Sequence, residues 1–89
     1  MMNKEQEKKY KSFIKGAEIL EGQGDALVYK KDFKRSIEVY GQAQQEYRNA
    51  FNLAKECNDV SSKQSVSKKE RECVRKIEDA RIANYEATV

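Results

Sequence analysis

The chain has 89 residues, 18 Lys and Arg against 15 Asp and Glu, and a formal charge of +3; proline, tryptophan and histidine are absent. A chain this short makes one domain and buries only about 60–65% of the surface its unfolded form exposes, which argues against a deep enzyme pocket. No stretch reaches the roughly 20 apolar residues of a membrane span, and the charged opening MMNKEQEKKYKSF has no secretory core, so a soluble, cytoplasmic protein is the expectation.

Other exclusions follow from what is missing. Without histidine, the commonest general base and metal ligand is lacking. Cys57 and Cys73 are fifteen residues apart in the gap, which is no zinc spacing, and read as reduced thiols packed between helices. GQGD at 22–25 lacks the Gly-Lys-Ser/Thr of a phosphate-cradling loop. Glu5 with Lys9 and Glu72 with Lys76 read as helical ion pairs rather than an acid–base couple. No enzyme, metal, cofactor or small-molecule substrate is therefore expected from the chain itself.

Residues 1–9 are polar and read as a frayed or weakly helical start. Tyr10, Phe13, Ala17, Leu20, Gly24 and Leu27 then recur at spacings of three and four, widened by Ile14 and Val28. They predict a first amphipathic helix over about 10–30. Gly16, Gly22 and Gly24 weaken it, but the stripe keeps its phase across them, so the helix is expected to continue through Gly22-Gln23-Gly24.

Lys30-Lys31-Asp32 reads as a tight turn, with Asp32 as N-cap of a second helix over about 33–57. Phe33, Ile37, Tyr40, Gln44, Tyr47, Phe51 and Ala54 form its stripe. Ser36, Ala43, Ala50 and Cys57 run beside it, and Val39 and Leu53 widen the arc. So broad an arc predicts two neighbouring helices.

Asn58 to Ser67, NDVSSKQSVS, reads as a loop. Ser67-Lys68-Lys69-Glu70 has the pattern of a capping box, and a third helix is expected over about 68–87. Its face is Cys73, Ile77, Ala80, Asn84 and Ala87, with Val74 alongside and Ile82 and Tyr85 turned away. The fold class expected is an all-α antiparallel three-helix bundle occupying 10–89.

Lys63, Lys68, Lys69, Arg71, Arg75 and Lys76 give residues 63–76 a net charge of +4. Such a patch suits phosphates or an acidic peptide, although a solvated loop and helix start is the simpler reading. The aromatics lie mostly on core stripes, and the arginines are spread out, so a nucleic-acid platform is not supported.

Residues 24–43 resemble a tetratricopeptide helical hairpin through Gly24, Ala26, Leu27, Phe33, Ile37, Tyr40 and Ala43, with Ser36 where alanine is usual. The apolar period runs on to Cys57, and no second copy follows. A long second helix and one further helix instead resemble the MIT (microtubule-interacting and trafficking) domain. The likeness covers about residues 13 to 85 and is carried by KDFKRSIEVYGQAQQEY and CVRKIEDARIA.

That resemblance implies a non-enzymatic interaction module of membrane trafficking, such as the non-catalytic domain of an AAA ATPase. It would be recruited to endosomal or other membranes only indirectly. It implies capture of helical ESCRT-III tails in a groove between the second and third helices, with Val74 and Ile77 lining the third-helix side. Val39, Ala43, Ala50 and Leu53 are the physical choices on the second helix. The family's acidic position after the matching alanine is Arg81 here, and Glu78 or Asp79 would substitute for it. On this reading Ile77→Asp abolishes capture without unfolding the bundle. The alternatives are a tetratricopeptide-like adaptor or dimerising protein, and a bundle that binds lipid or nucleic acid through the basic patch.

Overall fold

A computed structural model describes residues 2–89 as three helices: α1 (Lys4–Tyr29), α2 (Phe33–Glu56) and α3 (Val60–Thr88). They form the expected all-α bundle, with α1 and α3 each packed along α2 and barely touching one another. The arrangement has one physical cause. Ser36, Tyr40, Ala43, Tyr47, Ala50 and Ala54 of α2 are all buried and recur at spacings of four and three. That period keeps one seam turned inward, and its small members let a neighbour approach closely on either flank.

The two turns are built alike. Lys31 and Asn58 adopt left-handed backbone conformations, at φ 64° and 53°. In each turn the residue after it closes the preceding helix: Asp32 N–H donates to Leu27 O, and Asp59 N–H donates to Ala54 O, both at 2.9 Å. This is the Schellman closure. The same aspartate then caps the following helix. Asp32 Oδ1 accepts from Arg35 N–H and Asp59 Oδ1 from Ser62 N–H at 3.1 Å.

Two boundaries differ from expectation. The first helix starts at Lys4 because Asn3 and Gln6 form a reciprocal capping box, Asn3 Oδ1 accepting from Gln6 N–H at 2.8 Å and Gln6 Oε1 from Asn3 N–H at 3.0 Å. Met1 lies outside the described residues. The third helix starts at Val60, so 60–67 is helix rather than loop and Ser67 sits inside it. Tertiary contacts override the serines there. Val66 is fully buried, Tyr10 Oη donates to Ser62 O at 3.0 Å, and Lys63 Nζ stands 5.9 Å from the Phe51 ring centre. The first helix does run unbroken through Gly22 and Gly24. No helix among the described residues is long and apolar enough to cross a membrane.

Candidate functional site

Because α1 and α3 flank α2 without closing on each other, an open cleft of about 700 Å³ remains between them. Tyr47 of α2 forms its floor. Glu18, Glu21, Gly22 and Asp25 line the α1 wall; Ser65, Lys68, Lys69, Glu72 and Lys76 line the α3 wall. Helical spacing puts each set on one face: 18, 21 and 25 on α1, and 65, 68, 69, 72 and 76 on α3.

The floor and the lower end of the cleft are held by one polar network. Tyr47 Oη donates to Glu21 Oε1 at 2.6 Å and Tyr40 Oη donates to Asp25 Oδ1 at 2.5 Å. Lys76 Nζ lies 2.7 Å from Glu21 Oε2 and 3.1 Å from Asp25 Oδ1. Side chains of all three helices are therefore joined through five residues. Burial and then the carboxylate contacts push both tyrosine hydroxyls well above their usual range, so each is a donor at neutral pH. Burial pulls the Lys76 ammonium down, but its pairs with Glu21 and Asp25 outweigh that and raise it. Higher in the cleft, Lys69 Nζ meets Glu18 Oε2 at 3.5 Å across the gap. The three cross-cleft pairs are offset by 51 residues (Glu18–Lys69 and Asp25–Lys76) or one turn more (Glu21–Lys76), so α1 and α3 run in parallel with a constant register.

The residues expected to form a groove between α2 and α3 do not line one open groove. Ala43 and Ala50 are fully buried and Ile77 is 7% exposed, so these three belong to the core. Leu53 lines a shallow depression with Lys9 and Phe13 of α1, and Val39, two heptads earlier, shares that flank of α2. Val74 is half-buried on the other flank, one turn beyond Glu70, which accepts from Gln44 Nε2 and Arg48 Nε of α2. Glu78 and Arg81 are exposed and pair with each other at 3.3 Å. The broad arc of α2 does serve two neighbouring helices, as expected, but its two edges face different ones, so Val39 and Leu53 do not share a groove with Val74. With Ile77 in the core, Ile77→Asp would bury a carboxylate and unfold the bundle, so it cannot probe a groove.

The basic patch is largely neutralised. Lys69 and Lys76 reach α1 carboxylates, and Lys63 covers Phe51. Arg75 bridges Glu72 at 2.5 Å and Asp79 at 2.6 Å; that contact lowers the Glu72 carboxyl below its usual range and raises the guanidinium. Only Lys68 and Arg71 of the six have no ion-pair or ring partner among the described residues. The expected Glu72–Lys76 pair is replaced by Glu72–Arg75, and in α1 it is Glu7 and Lys11 that pair, at 3.2 Å. Neither cysteine is in a disulfide, and Cys73 is buried, its Sγ 3.3 Å from Tyr40 O. Burial, then the charge of Glu21, pushes that thiol up to about 11.

Sequence reasoning missed the cleft. Its signal was present in the acidic residues at 18, 21 and 25 and the lysines at 69 and 76, which are matched charged stripes on two helices. No family model matches the chain, and no curated protein or solved structure matches it either.

Proposed function

We propose that this chain is a non-enzymatic protein-interaction module that captures an amphipathic helical segment of a partner in the α1–α3 cleft. The observation that carries the reading is the gap itself: two long parallel helices are held apart over a tyrosine floor, with room for a third helix's side chains. The occupant would place an apolar ridge over Tyr47 and the aliphatic stems of Lys68 and Lys69. Its basic residues would meet Glu18 and Asp25, each about half exposed. The resemblance of 31–47 and 73–83 to an MIT domain makes tails of the ESCRT-III type the first ligands to test, with a role in trafficking or ATPase recruitment. Affinity in the micromolar range, about 8 kcal/mol, is expected for so small a surface.

The test is titration of the domain with such tails, followed by amide shifts in NMR. Shifts should concentrate on the walls around Gly22 and Lys68. A Cβ at Gly22 would meet nothing within 4 Å, so Gly22→Leu should fill the cleft and abolish capture while the helices remain intact. Shifts centred on Gly41 and Val74 instead would move the site to the outer crease of α2 and α3. No shifts with any tail would remove the reading.

A further inference from the structure

One end of the bundle carries unpartnered charge and unpartnered apolar surface together. The contacts between Asp25 and Lys76 set α1 against α3, and those of Gln44 with Glu70 set α2 against α3. Carried along the helices, they place Tyr29 level with Ala80 and Phe33 level with Arg81. From Ile82 to Thr88, α3 therefore overhangs both neighbours by two turns, about 10 Å. Tyr29 at the α1–α2 corner is 90% exposed, and Ile82 and Tyr85 on the overhang are 58% and 71% exposed.

The same corner holds Lys30, Lys31 and Lys34, none of which has an ion-pair partner among the described residues. The contrast with residues 63–76, where most bases are neutralised, is direct. The Schellman closure fixes Lys31 in its left-handed conformation, so the lysines stand on a rigid corner. Over 29–35 and 81–89 there are five basic residues against Asp32 and Glu86; Arg35 is engaged by Asp32 at 3.7 Å and Arg81 by Glu78 at 3.3 Å, which leaves the three lysines.

We propose that this tip contacts anionic membrane surfaces: Lys30, Lys31 and Lys34 meet lipid phosphates and carboxylates, while Tyr29, Ile82 and Tyr85 enter the headgroup–acyl boundary. Exposed apolar side chains beside unpaired lysines are what an interfacial site needs. Tyrosine suits that layer because its ring is apolar and its hydroxyl is wet. A second copy meeting the same tip would set lysines against lysines. A protruding helix end also offers side chains to insert rather than a groove to receive them, which favours a bilayer over an acidic peptide.

The test is co-sedimentation of the whole chain with vesicles of phosphatidylcholine alone and of phosphatidylcholine with about 30% phosphatidylserine, at low and high salt. Binding is expected only to the anionic vesicles, and to fall with salt. Changing Lys30, Lys31 and Lys34 to glutamine should weaken it about fivefold per lysine, about 100-fold together. Tyr29→Ser with Tyr85→Ser should weaken it with the salt dependence unchanged. Lys68→Gln with Arg71→Gln, and Gly22→Leu, should leave it unaltered, which separates this contact from the cleft. Equal partition onto both vesicle types, equal loss in the Lys68 and Arg71 variant, or binding of polyglutamate without vesicle binding would each overturn the proposal.

Discussion

Gly24 marks where α1 comes closest to the tyrosines that organise the cleft, and its replacement by alanine gives the sharpest test of the packing. A Cβ at Gly24 would lie 2.5 Å from Tyr40 Cδ1 and 3.0 Å from Cζ, and would also clash with Cε1. The ring cannot swing away easily, since Tyr40 is 2% exposed and its hydroxyl is held by Asp25. Overpacking of this kind costs about 1–3 kcal/mol. Straining the hydrogen bond to Asp25 adds about 1 kcal/mol. The gain in helix propensity returns about 1 kcal/mol. Gly24→Ala should therefore destabilise by about 2 kcal/mol. Gly22→Ala makes the same chemical change two residues away, where a Cβ meets nothing within 4 Å, and should stabilise by about 0.5–1 kcal/mol. The two variants should differ by about 3 kcal/mol, a spread in Tm of roughly 10–20 °C. Urea and thermal unfolding followed by circular dichroism at the helix band would measure it. In a Tyr40→Leu background the cost of Gly24→Ala should shrink by at least about 1 kcal/mol, because the obstructing ring is gone. If Gly24→Ala and Gly22→Ala are equally stable, or the cost survives removal of the ring, the close approach does not govern the packing of α1 on α2.

Lys76→Met leaves Glu21, 15% exposed, without its cation, and should destabilise by about 2 kcal/mol in urea unfolding while exposed Arg71→Met changes little. Ile77→Asp should abolish cooperative thermal unfolding outright, since the side chain is in the core. The Cys73 thiol should resist alkylation at neutral pH in the native chain and react once urea is added, read by mass spectrometry. Its folded pKa of about 11 lies above the ordinary 9.0, so the folded state keeps a proton that the unfolded chain has lost. Stability from this group is therefore complete below about pH 9 and falls as pH rises towards 11. Cys73→Ala should flatten that part of the stability curve.

The architecture was legible because it depends on period. Spacings of three and four in α1 and α2 survive three glycines, and Asp32 announces its cap by residue type alone. The start of α3 was not read correctly for a reason that can be stated. Serines at 61, 62, 65 and 67 offer the backbone local hydrogen bonds, so composition argued for a loop. What decides otherwise is a pair of residues, Asn58-Asp59, that repeats the turn chemistry of Lys31-Asp32, together with the burial of Val66 and the bond from Tyr10 to the Ser62 carbonyl across the bundle. The groove residues failed on a different point. Periodicity identifies the apolar arc of α2, but it cannot tell which edge of that arc faces which neighbour. Val39 and Leu53 were thus joined to Val74, although they lie on opposite flanks.

The cleft exists because α2 alternates large and small residues along its buried seam. At one end Ala50 and Ala54 let the flanking helices draw in, close enough for Tyr10 of α1 to donate to the Ser62 carbonyl of α3. Towards the middle, Tyr47 and Tyr40 replace them, and both extend polar tips to α1 carboxylates. A phenol that donates to Glu21 or Asp25 needs its hydroxyl near the level of the α1–α3 gap, so the ring props that gap open. Closing it would trap Glu21, Asp25 and Lys76 away from water, at a cost that their mutual attraction recovers only in part. Leaving it open lets water or a ligand solvate the outer carboxylates while Lys76 satisfies the inner ones. The polar network that joins all three helices is thus also what keeps two of them apart, and on the reading proposed above it holds the cleft ready for a partner before one arrives.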